Sequence, residues 1–125
     1  VRGDLVHVEW IVEDAVVAAV AAHAARSVPG VARLEPGVAG LVRGWGRARW
    51  QEVKGLTPAP ADGVTVRRAG GEFEVCVGIA TRAGVQVAAV AAAVQHEVRA
   101  ALVRDTGVVP GQVSVTVLDV DPEVR

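Results

Sequence analysis

Two stretches of the chain follow one pattern: an alanine- and valine-rich helical repeat, a Pro-Gly break and a short β-prone run. In the first, Val17, Val20 or Ala21, Ala24 and Val28 recur at helical spacing, which predicts a helix with one apolar line facing a core. Glu13 and Asp14 stand where this helix begins, and their charge suits the positive end of the helix dipole. Pro29-Gly30 stops it, because proline disfavours helical backbone in the residue before it, and Val31 to Glu35 then reads as a strand. In the second stretch, Val87, Val90, Val94, Val98 and Ala101 mark the buried line of a helix over Val85 to Arg104. Gly107 closes that helix, and Gln112 to Val120 follows as a strand with Val113, Val115 and Val117 on one side.

Between the two stretches, Val64 to Arg68 and Glu72 to Thr81 flank Ala69-Gly70-Gly71 and predict a β-hairpin. Along its second strand Phe73, Val75, Val77 and Ile79 share a face, opposite Glu72, Glu74, Cys76 and Gly78. Ahead of the first helix, Leu5 to Trp10 alternates as a short strand. The order is β-α-β, a loop, then β-β-α-β. It predicts an α/β (α+β) domain of two layers: a small mixed sheet with both Ala/Val-rich helices packed on one face. The loop, residues 37–63, is where the periodicity dissolves, and three of the six prolines lie between Pro36 and Gly63. An irregular segment of this length inside a compact domain is commonly functional. Residues 1–125 read as one domain.

Composition narrows the chemistry. Apolar residues make up 51% of the chain but aromatics only 3%, so the core must be built from Val, Ala, Leu and Ile. Small side chains bury less area each, at about 25 cal/mol per Å², and require close backbone approach instead. A formal net charge of −1 gives no global field that would draw in nucleic acid or anionic lipid. Cys76 is the only cysteine, which rules out an intramolecular disulfide and fits a reducing compartment. The longest apolar runs, Ala15 to Ala25 (broken by His23) and Val87 to Val94, are shorter than the ~20 residues a bilayer span needs. No secretory signal pattern is visible at the start, which is Val1 rather than Met, and the cysteine usage is what points to a cytoplasmic location.

The most functional-looking stretch is the loop cluster Arg43, Trp45, Arg47, Arg49 and Trp50, with Lys54 nearby. Arginine charge beside amphipathic indole rings is used at membrane interfaces and on single-stranded nucleic acid. These five residues are the candidate partner or membrane contact. The plainer account makes one Trp a loop anchor and the arginines solvated. His7, His23 and His96 contain no i, i+4 pair that would pre-organise a zinc site, and they read as ordinary boundary histidines. Glu72 and Glu74 flank Cys76 on one strand face, and their charge would raise the thiol pKa, the wrong direction for a reactive thiolate. Asp119 and Asp121 lack the turn and distant Glu of a calcium loop. Gly70-Gly71 leads into a strand rather than a phosphate-binding helix. No catalytic, cofactor-binding or metal-ligating residue is therefore assigned, and no small-molecule substrate is expected.

With that order established, the chain resembles the alkaline-shock-protein family (Asp/Gls type) of small bacterial stress proteins. The likeness is carried by the helix followed by VPGV at Val28 to Val31, and by the Gly63 to Val66 start. EVCVGIATRAGVQVAAVAAAVQHEV from Glu74 to Val98 and TGVVPGQVSVTVLDV from Thr106 to Val120 complete it. Three features depart from the family pattern. Ile11-Val12 stand where similar proteins usually carry a capping Ser or Thr, the loop holds the Arg/Trp cluster, and the sequence shows none of the long charged termini that some members carry. The resemblance implies a non-enzymatic scaffold of the envelope-stress response. Such a protein would act at the inner face of the membrane, binding a small membrane-anchored protein and associating into homo-oligomers, without a membrane span of its own. Two other readings stay open on the residues alone: a weak nucleic-acid-binding domain using the Arg/Trp loop, and a regulatory subunit of an enzyme.

Overall fold

The computed structural model of the protein describes residues 13–36 and 63–122. Within them the order is α1 (Asp14–Arg26), β1 (Val31–Leu34), β2 (Val64–Ala69), β3 (Glu72–Arg82), α2 (Val87–Thr106) and β4 (Gln112–Asp121). The expected strand at Leu5 to Trp10 and most of the expected loop lie outside the described residues. The remaining elements appear in the expected order, with boundaries moved by one or two residues.

Those shifts have local causes. Glu13 is the N-cap of α1, and its side chain makes no capping hydrogen bond. At the other end Ser27 Oγ donates to the Ala24 carbonyl at 2.7 Å, satisfying one of the last carbonyls of the helix. α2 begins two residues later than expected because the Gln86 side chain accepts from the Ala89 N–H at 2.7 Å and so caps it. It extends past Arg104 to Thr106, whose Oγ1 donates to the Leu102 carbonyl at 2.7 Å, before Gly107 closes it.

β3 is the central strand of a mixed sheet. One of its edges pairs in parallel with β4 from Glu74 to Arg82, the arrangement a β-α-β connection through α2 produces. Its other edge pairs antiparallel with β2 from Glu72 to Val77 and with β1 from Ile79 to Thr81. β1 and β2 are therefore one strand line in two pieces. Gly78 marks the joint: its N–H donates to the Gly63 carbonyl at 2.9 Å, and its carbonyl accepts from Glu35 N–H at 2.8 Å. Gly63 has φ +84°, and a Cβ there would lie 2.7 Å from the Leu34 Cβ. The chain thus leaves the sheet after β1 and re-enters at the same point, a junction that only glycine fits.

Both helices cover one sheet face, and the core between is made of small residues. α1 buries Val17, Ala18, Ala21, Ala22, Ala24 and Ala25, and α2 buries Val90, Val94, Val98, Ala101 and Leu102. They meet Val64 and Val66 of β2, Val75, Val77 and Ile79 of β3, and Val113 of β4. Alanine on α1 permits the close approach that this aromatic-poor composition demands. Phe73, the one phenylalanine, is only half-buried, and the Arg68 guanidinium lies 4.4 Å from its ring centre. The turn out of α1 is fixed by packing as well: Gly30 has φ +99°, and a Cβ there would fall 2.7 Å from Val90 Cγ2.

The opposite sheet face is polar. Arg33 on β1 sits beside Ala80 of β3, and Asp119 of β4 flanks Ala80 on its other side. The small side chain at 80 lets the Arg33 guanidinium reach across the sheet to Asp119 at 3.1 Å and Asp121 at 3.4 Å. Arg33 also holds Glu35 at 2.7 Å. Farther along, Arg67 and Glu74 form an ion pair across β2 and β3.

Candidate interaction site between the helices

On the side away from the sheet, the seam between α1 and α2 opens into a groove. One depression of about 310 Å³ lies between Ala19, Val20, His23 and Ala24 of α1 and Glu97, Ala101 and Arg104 of α2. A second, of about 550 Å³, continues toward Val28 and Pro29 and is bounded by Ala92, Ala93 and His96 of α2. Ser27 and Glu97 line both, so the depressions form one groove with Glu97 at their meeting point. The carboxyl end of α1 meets the amino-terminal half of α2, so the helices run antiparallel.

Helix geometry dictates which residues line it. Ala93, Glu97, Ala101 and Arg104 lie three or four residues apart and form one ridge on α2. Val20, Ala24 and Ser27 do the same on α1. Ala19, Ala92 and Ala93 are exposed, at positions where a solvated helix usually carries charged or long polar side chains. Alanine leaves these positions low, and the depression follows. The rim is polar. Arg104 Nε bonds Asp105 at 3.0 Å, and that hydrogen bond leads in pushing the guanidinium pKa above its ordinary value, with a weaker through-space pull from Glu97. Glu97 is half-buried and has no hydrogen bond or ion pair among the described residues.

The candidate contact residues Arg43, Trp45, Arg47, Arg49 and Trp50 lie outside the described residues, as do Lys54 and His7. The structure brings His23 and His96 to the same groove, on opposite helices. Among the described residues no group of three or more His, Cys, Asp or Glu side chains is placed to hold a metal ion. Cys76 is half-buried on the polar sheet face. Burial is the main influence raising its thiol pKa; Arg67 pulls it down and Glu74 pushes it up. The direction matches the expectation, but desolvation leads rather than the neighbouring acids. Asp119 and Asp121 end β4 as partners of Arg33. Sequence periodicity points inward along each helix and did not single out the groove. The available signal was alanine at outward positions such as Ala19, Ala92 and Ala93.

The model of the alkaline shock protein 23 family, described as having a cell envelope-related function and consistent with the alkaline-shock resemblance, matches residues 6–122. The chain belongs to that family. No curated protein and no solved structure matches it. The match takes in every described element of this alkaline-shock-family chain, and the groove lies on its two helices. Among the described residues, no helix is long and apolar enough to cross a membrane.

Proposed function

We propose that this alkaline-shock-family protein is a non-enzymatic interaction domain of bacterial envelope homeostasis and stress response. It works at the cytoplasmic face of the membrane, binds a membrane-anchored protein and self-associates. The observation that carries the partner-binding part of this reading is the exposed groove between α1 and α2, whose outward alanines leave apolar surface uncovered by the described residues. Family membership supplies the envelope context. The loop cluster Arg43, Trp45, Arg47, Arg49 and Trp50 is a second candidate contact, on its combination of charge and indole rings.

Affinity recovery from native membranes tests this reading. The wild-type chain should retain one small integral membrane protein at stoichiometric yield, in a complex that survives high salt. Retention of nucleic acid instead, lost steeply as salt rises, would replace this reading with the nucleic-acid one.

A further inference from the structure

We infer that the groove between α1 and α2 is the seat of a partner protein's amphipathic helix, one whose apolar face carries a single lysine or arginine that meets Glu97. The inference rests on the interaction-domain reading and names the surface and the partner's chemistry. From Ala92 to Asp105 the groove runs about 20 Å at the helical rise of 1.5 Å per residue, three to four turns of a third helix. Its floor and walls are mainly Ala, Val and Pro, and low alanine ridges let a helix approach closely, as in helix-in-groove recognition. Glu97 stands where the two depressions meet, half-buried and without an ion pair among the described residues, so among them the mid-groove charge that lacks a direct partner is negative. Arg104, the nearest cation on the same ridge, is already held by Asp105, and its attraction to Glu97 is the weaker one.

That charge decides among occupants. A second copy seated groove on groove about a two-fold axis would bring each Glu97 toward the other, a like-charge contact in a partly desolvated place. An anionic bilayer surface would meet the same repulsion. An apolar helix with one central cation covers the alanines and pairs the carboxylate.

The test uses the full chain and helix-stapled 14-residue peptides with alanine and leucine on one face and lysine, glutamine or glutamate at its centre. Binding is read by fluorescence anisotropy. The lysine peptide should bind about tenfold more tightly than the glutamate one, the size expected when a partly exposed attraction becomes a repulsion. Glu97→Gln should bring the three peptides within about twofold of one another, and Ala93→Trp, which fills the groove from an exposed position, should weaken all three about tenfold or more. Equal binding of the peptides, a lysine preference that persists in Glu97→Gln, or no binding by any of them would overturn the inference. Self-association or capture by anionic vesicles that Ala93→Trp abolishes would assign the groove to a second copy or to lipid, and would overturn it too. If wild type and Ala93→Trp recover the same membrane protein equally well, the interaction reading stands and the groove assignment falls.

Discussion

The two helices present two apolar faces, and they behave differently. Facing the sheet, Val17, Ala21, Val94, Val98 and Leu102 are buried in one core cluster with residues of β2, β3 and β4. Facing away, Ala19, Ala92 and Ala93 are nearly as apolar in type, yet exposed along the groove. The inward set is what the fold requires. The outward set makes no contact that the core requires; alanine there favours the helix by propensity, and the proposed docking of a partner would give its low profile a second use.

The largest way to sharpen this contrast is to cut into the inward face. Leu102 and Ile79 are among the largest fully buried side chains. Either one changed to Ala should cost about 3 kcal/mol, read as a lower urea midpoint at unchanged slope. Gly30→Ala should cost about 2 kcal/mol by the same measurement, because it adds both an unfavourable φ of +99° and a contact at 2.7 Å to Val90. Thr81 is fully buried, and its Oγ1 has no hydrogen-bond partner among the described residues. Thr81→Val should therefore stabilise the chain, by about 1 kcal/mol, whereas a loss would show that the hydroxyl is satisfied in solution.

Smaller effects are expected outside the core. Arg33→Ala removes contacts to Glu35, Asp119 and Asp121, but Arg33 is 45% exposed and the two aspartates are exposed to a similar degree. Solvent screening should keep the cost small, well under that of the core substitutions, and added salt should shrink it further. Cys76 should give the smallest effect. Its thiol pKa is raised by burial, so the unfolded chain loses this proton first as pH rises. Stability should fall slightly as pH climbs above the ordinary thiol pKa, and Cys76→Ala should remove that slope. Alkylation of native Cys76 should be slower than in the urea-unfolded chain at the same alkaline pH.

Much of this architecture was legible from periodicity alone. The inward lines of both helices, the alternation of β3 and the Gly70-Gly71 turn are set by neighbours close in sequence, so local pattern reports them. What stayed hidden depends on residues far apart in the chain. The union of β1 and β2 into one edge needs Gly63 to meet Leu34 and Glu35. The reach of Arg33 to Asp119 needs Ala80 between them. The groove needs Ser27 and Glu97 brought together from separate helices. Gln86 as a cap was missed for a different reason, since glutamine is not a strong capping residue by type.

The most direct test of the division between the two faces is one double variant, Ala19→Lys with Ala93→Lys, measured two ways beside the wild type. Its urea midpoint should move by no more than about 0.5 kcal/mol in stability, as for substitutions away from packed contacts. Its recovery of the proposed membrane-anchored partner from native membranes should fall about tenfold or more. A variant that unfolds as readily as Leu102→Ala, or that keeps full recovery of the partner, would contradict the account.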